Sequence, residues 1–133
     1  GGAELPTDWI SLREGASRPA EGFPAQFSYN AVRIPLYLAW AGIGEWDHYR
    51  AFHAWSVGKR QASVVDVNTG REVERLGDRG YASIRALLAC AIDRTPAGPE
   101  FRAMREVEHY YPATLHLIAL AAANLRYQSC VKG

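Results

Sequence analysis

The sequence predicts a mainly α domain of helical hairpins with one small β-hairpin. Apolar residues recur at helical spacing in segments separated by Gly and Pro breaks. One stretch, residues 62–76, switches to two-residue alternation around an Asn-Thr-Gly turn. At 133 residues the chain has the length of one domain or part of one, and 48% hydrophobic content with 4 Trp and 7 Tyr is enough to build a core.

In chain order, residues 1–28 read as loop, because Pro6, Pro19, Pro24, Gly15 and Gly22 interrupt any period. Leu5, Trp9, Ile10 and Leu12 suggest at most one helical turn. From Asn30 the pattern turns helical. Val32, Pro35, Leu36, Leu38, Ala39 and Trp40 are apolar on most sides, which predicts a helix over 31–41 buried all round. Ser28 or Asn30 is placed to cap it, Pro35 fits its first turn, and Gly42 and Gly44 stop it. A second helix is expected from Glu45 to Val57, carrying Trp46, Tyr49, Phe52 and His53 and ended by Gly58, so that the two form an antiparallel pair.

Val65 and Val67 alternate with Asp66, Asn68-Thr69-Gly70 turns, and Val73 alternates with charges, giving a surface β-hairpin. Gly77-Asp78-Arg79-Gly80 reads as a turn into a helix over 81–94 with Ile84, Leu87, Leu88 and Ala91 on one face. Thr95-Pro96-Ala97-Gly98-Pro99 is a break. A short helix from Glu100 to Val107 carries Phe101 and Met104. The last helix, 113–127, has Leu115, Ile118, Ala119, Ala122 and Leu125 as its stripe, with a small-residue run that permits close approach. About five helices cannot easily enclose two that are apolar over most of their circumference, so missing partners are expected, either further chain or another subunit.

The charge balance, 15 basic against 14 acidic residues, is interleaved and argues against nucleic-acid or membrane-surface binding. No stretch reaches the ~18 apolar residues of a membrane-spanning helix. The start, Gly1-Gly2-Ala3-Glu4, has no signal-peptide character and reads as an appended remnant or the cut edge of a longer chain. Cys90 and Cys130 are far apart with no CxxC neighbour and read as buried free thiols, with a disulfide as the alternative in an oxidising compartment.

No metal site is expected. His48 and His53 are five residues apart on one helix and face different directions, and no HxxxH or HExxH occurs. His116 reads as a satisfied core residue, and Asp66 and Asp78 as solvated loop carboxylates. The group Tyr29, Asn30 and Arg33 stands apart, because polar side chains at the mouth of a buried helix are costly unless used or satisfied. Two readings are open. Asn30 caps the helix and Arg33 pairs with a surface acid, or the three converge on a ligand at the helix entrance.

Ser28-Tyr29-Asn30-Ala31-Val32-Arg33 with Pro35 resembles the Tyr-Asp-Ala-x-Arg signature of glycoside hydrolase family 8, the bacterial endo-β-1,4-glucanases. Leu5-Pro6-x-x-Trp9 resembles the segment before that signature. Val65-Asp66-Val67-x-Thr69-Gly70, Gly80-Tyr81-Ala82 and Tyr110-Tyr111 resemble, in order, the segments after it.

The resemblance implies that residues 1–133 are the C-terminal part of a single (α/α)6 barrel, six helical hairpins in a ring around a glucan cleft. It implies inverting hydrolysis of β-1,4 bonds with no cofactor or metal, a β-glucan partner, and a periplasmic or secreted location. The family's acid lies upstream of the matched region, so the isolated chain is expected to be inactive. Asn30 stands where the family has its Asp base, and an amide cannot take a proton from water as a carboxylate does. That leaves a natural variant with its base elsewhere, an inactivating substitution, or a degenerate relative. Tyr29 and Arg33 carry over as substrate-binding residues that also hold position 30. The other class of reading is a non-catalytic helical module that self-associates or completes a split enzyme.

Overall fold

The computed structural model describes residues 4–57 and 61–132; Gly58, expected to stop the second helix, lies outside them. Three long helices form the centre: α1 (Arg33–Ala41), α3 (Arg79–Asp93) and α5 (Tyr110–Arg126). α5 packs against both α3 and α1, and α1 also touches α3. All three run parallel. At their N-terminal ends the ring of Tyr81 meets those of Tyr29 and Tyr111. At their C-terminal ends Arg126 Nε donates to Trp40 O at 2.7 Å, and Arg94 lies over the ring of Tyr127.

Close approach between them is built into the sequence. Ala119, Ala122 and Ala123 are buried on α5. At Gly80 a Cβ would lie 1.8 Å from Pro112 O, so the first turns of α3 and α5 touch backbone to backbone and only glycine fits.

A further helix, α2 (Trp46–Val57), lies chiefly against α3 and runs antiparallel to it. His53 near its end reaches Asp93 at 2.8 Å, and Arg85 Nε, two turns earlier on α3, donates to Ser56 O at 2.7 Å. The expected α1–α2 pair is therefore corrected: the Gly42–Gly44 turn carries the chain outward, and α2 finds its main helical partner in α3. Gly42 has φ 66° and ends α1 as expected, while its own close neighbour is the Arg126 guanidinium.

The opening segment is not a helical turn. Ile10–Ser11 (β1) pairs antiparallel with Arg18–Pro19 (β2), and Trp9, Ile10 and Leu12 are exposed. Gln26–Phe27 (β3) joins Ala62–Asp66 (β4) and Glu72–Leu76 (β5) in a three-stranded antiparallel sheet of order β3-β4-β5. The predicted hairpin is thus present, but β4 is buried rather than on the surface. Its Ala62, Val64 and Val65 face a core completed by Phe27, Phe52 and Trp55. Phe27 is fully buried, with Trp55 edge-on at 5.2 Å, a burial worth about 1.5–3 kcal/mol.

The remaining differences are local. The short helix α4 spans only Pro99–Arg102, and a one-turn helix α6 (Gln128–Val131) follows α5. Cys90 on α3 and Cys130 on α6 are joined in a disulfide, which overturns the free-thiol reading: α6 folds back on the end of α3 and brings two residues 40 apart into register. Nor is α1 buried all round. Pro35, Leu36 and Ala39 face the core, while Ile34, Tyr37 and Trp40, one turn apart on the other face, are partly exposed. Leu125, placed in the α5 stripe by its spacing, is exposed beside them.

Candidate active site

β3 delivers the chain into a tight turn over residues 28–32, closed by Val32 N to Ser28 O at 3.0 Å, before α1 begins. Neither Ser28 nor Asn30 caps α1 through its side chain, so the capping expectation fails. The first N–H groups of α1 go to carbonyls of the turn itself, Arg33 N to Asn30 O at 3.2 Å and Ile34 N to Ala31 O at 3.0 Å, and the turn in its own right is held by a carboxylate. Asp8 Oδ1 accepts from Ser28 N at 2.9 Å and from Ala31 N at 2.8 Å, gripping the turn on both sides of Tyr29 and Asn30. A carboxylate in such a position is a strong acceptor, because the donors are backbone dipoles that fit its charge. The Tyr111 hydroxyl donates to Tyr29 O, so α5 holds the same turn from a third direction.

Within this grip, Arg33 folds back on Asn30. Its Nη2 donates to Asn30 Oδ1 at 3.2 Å and its Nε to Asn30 O at 3.3 Å. The alternative in which Arg33 pairs with a surface acid is not what the structure contains among the described residues. Because a guanidinium only donates, the amide oxygen must face Arg33, and the Asn30 NH₂ is the end turned away from it. Tyr29 and Asn30 are both exposed at the mouth of α1. The Tyr29 hydroxyl donates to Glu74 Oε1 on β5 at 2.7 Å.

The rings of Tyr29 and Tyr111 stand edge-on to Tyr81 at 6.3 and 6.5 Å, so the N-terminal ends of the three parallel helices share one aromatic cluster. The phenols keep their protons. The hydrogen bond to Glu74, then burial, raises the pKa of Tyr29. Burial, helped by the neighbouring phenols and by Asp78 and Glu74, pushes Tyr81 up to about 12. Burial raises Tyr111 against the opposing pull of Arg33.

The loop carboxylates have separate places. Asp66 Oδ1 accepts from Thr69 N at 3.0 Å and closes the β4–β5 turn. Asp78 lies at the start of α3, 3.4 Å from His109 Nδ1, at the same end as the tyrosines. Gly80 belongs to the first turn of α3 rather than to a loop. His116 is fully buried with Nε2 2.7 Å from Phe101 O, but its Nδ1 is buried without a hydrogen-bond partner among the described residues, so the core reading holds and the satisfied one holds for a single ring nitrogen.

Asp8, Glu74, Tyr81 and Tyr111 were given no role by the sequence. Three of them fall inside or beside stretches whose likeness was already visible, whereas nothing in the sequence singles out Glu74. Among the described residues no group of His, Cys, Asp and Glu could hold a metal ion, and no helix is long and apolar enough to cross a membrane.

No family model matches the chain. A probable endoglucanase of Novacetimonas hansenii is 46% identical over 132 aligned positions, covering 89% of this chain and 34% of the relative. An endoglucanase of Cellulomonas uda is 46% identical over 41 residues, 30% of this chain and 11% of the relative. In fold, the chain is similar to an endoglucanase described as a family 8 glycosyl hydrolase from Klebsiella pneumoniae (TM-score 0.74, 26% identity, 93% of this chain and 40% of that one). It is equally similar to a family 8 endo-β-1,4-glucanase from an Achatina fulica gut metagenomic library (TM-score 0.74, 28% identity, 95% and 40%). The chain therefore spans about a third of the curated relative and two fifths of the solved structures. Parallel inner helices with an antiparallel outer one are the arrangement of an (α/α)6 barrel wall, and with these likenesses they make the chain a C-terminal portion of the glycoside hydrolase family 8 fold.

Proposed function

We propose that this chain forms the water-activating wall of a glucan cleft in an inverting, endo-β-1,4-glucanase-like hydrolase. The observation that supports this reading best is the turn at Tyr29 and Asn30. It is exposed, yet held by Asp8, Tyr111 and Arg33 from three separate elements. Exposed turns rarely receive that much fixing unless the position of their side chains matters. Tyr29 and Arg33 then act as substrate- and water-binding groups, and Asn30 occupies the place of the base. Inverting hydrolysis also needs a carboxylic acid on the opposite face of the sugar. We assign that acid to the other wall, outside these residues. A location outside the reducing cytoplasm, periplasmic or secreted, is supported by the Cys90–Cys130 disulfide.

The test compares this chain alone with the full-length protein on carboxymethylcellulose. The chain alone should release no reducing sugar above blank, and the full-length protein should release it with inversion at the anomeric carbon. Turnover by the chain alone, or retention of configuration, would overturn the reading. The second reading, a helical module that self-associates, has its own support in the partly exposed apolar face formed by Ile34, Tyr37, Trp40 and Leu125. Light scattering on the chain alone discriminates: a monomer at tens of micromolar counts against self-association.

A further inference from the structure

We propose that Glu74 is the proton acceptor that Asn30 cannot be, acting through the hydroxyl of Tyr29. The inference rests on the glucanase reading above and goes beyond it, because it gives the missing base a place. Glu74 lies 45 residues from Tyr29 in sequence, yet its Oε1 receives the Tyr29 hydroxyl proton at 2.7 Å. Among the described residues it forms no ion pair, since its neighbour Arg75 turns to Glu72 at 3.4 Å. The other carboxylates near the site are engaged: Asp8 by the backbone N–H groups of Ser28 and Ala31, and Asp78 by His109.

With its proton directed at Glu74, the phenol oxygen has lone pairs left to accept from a water in the cleft. Its retained proton keeps Tyr29 a neutral relay rather than a phenolate. The NH₂ of Asn30, free of Arg33 and on the next residue of the same turn, is the donor we assign to one lone pair of that water, leaving the other for attack.

The step balances as follows. The water oxygen bonds to the anomeric carbon, and one water proton passes to the Tyr29 oxygen while the Tyr29 proton passes to Glu74. The glycosidic C–O bond breaks with its electron pair on the leaving oxygen, which takes a proton from a carboxylic acid on the opposite wall. Glu74 ends protonated and returns the proton to solvent. Glu74 touches no substrate and is a positioning residue that also receives the proton.

The experiment measures kcat and KM of the full-length protein on a soluble cello-oligosaccharide. Gln at position 74 keeps an oxygen for the Tyr29 hydrogen bond but cannot take a proton, whereas Ala removes both. The relay requires Glu74→Gln and Glu74→Ala to lower kcat alike, by about 10²-fold or more, with KM nearly unchanged. Tyr29→Phe, which keeps the ring contacts, should lower kcat similarly, and adding Glu74→Gln to it should cost little more. Asn30→Asp in the Glu74→Gln background should restore activity by supplying a carboxylate in the family's usual place. A Glu74→Gln enzyme as active as wild type, with only Glu74→Ala impaired, overturns the relay and leaves Glu74 a purely structural partner of Tyr29. No turnover by the wild-type protein counts against the glucanase reading itself and takes the relay with it.

Discussion

Replacing Gly80 by Ala tests the claim that two barrel helices meet here backbone to backbone. An added Cβ lies 1.8 Å from Pro112 O, 2.4 Å from Pro112 C and 2.6 Å from Pro112 Cα. These are main-chain atoms and cannot rotate away, so the first turns of α3 and α5 must separate by about 1.2 Å to restore even a tight contact. Overpacking of this kind costs about 1–3 kcal/mol, and an unyielding neighbour puts Gly80 at the top of that range. The better helix propensity of Ala returns at most about 1 kcal/mol. The net loss is about 2–3 kcal/mol. With an unfolding entropy of about 2.1 cal/mol/K per residue, this corresponds to a Tm lower by roughly 7–11 °C. Urea unfolding followed by Trp fluorescence reads the midpoint, with Gly77→Ala as control, because a Cβ there has nothing within 4 Å. A Gly80→Ala midpoint equal to that of the control would refute the close contact. The same separation displaces Tyr81 from Tyr111, whose rings otherwise meet edge-on at 6.5 Å.

Two further outcomes follow from the same geometry. Asp8→Ala strands the N–H groups of Ser28 and Ala31 and should cost about 2 kcal/mol or more, whereas Asp8→Asn, which retains an acceptor, should cost clearly less. Thermal melts of the two variants compare them, and equal stability would remove Asp8 from its role. Opening the Cys90–Cys130 bridge by Cys90→Ser with Cys130→Ser releases a 40-residue loop and should cost about 4 kcal/mol. Alkylation without reductant should label neither thiol in the wild-type chain, and two labelled thiols would contradict the bridge.

Much of the helical framework was legible because burial has a period. α2, α3 and α5 were placed within a few residues by Tyr49, Phe52, Ile84, Leu87, Leu88, Leu115 and Ala119, all of which are buried. β3 was not legible: Gln26–Phe27 is two residues long and is made a strand only by pairing with Val65 and Asp66. The length of α4 was overread because Met104 and Val107 extend an apolar pattern that the backbone does not follow. At the site, Tyr29, Asn30 and Arg33 could be named together because they fall within one turn. Asp8, Tyr111 and Glu74 reach the same turn from 20, 82 and 45 residues away, separations at which no local pattern operates.

The sequence by itself determined the helices, the hairpin, the resemblance to a glycosidase family and the amide at position 30. Those follow from local spacing and residue identity, which each segment carries alone. The tertiary structure decided that α1, α3 and α5 run parallel with their tyrosines at one end. It also decided that Cys90 meets Cys130, that one face of α1 is left partly exposed, and that a carboxylate on β5 stands behind Tyr29. Hydrogen bonds and disulfides need atoms within a few ångströms, and such proximity between distant segments is set by how the helices and sheet pack together.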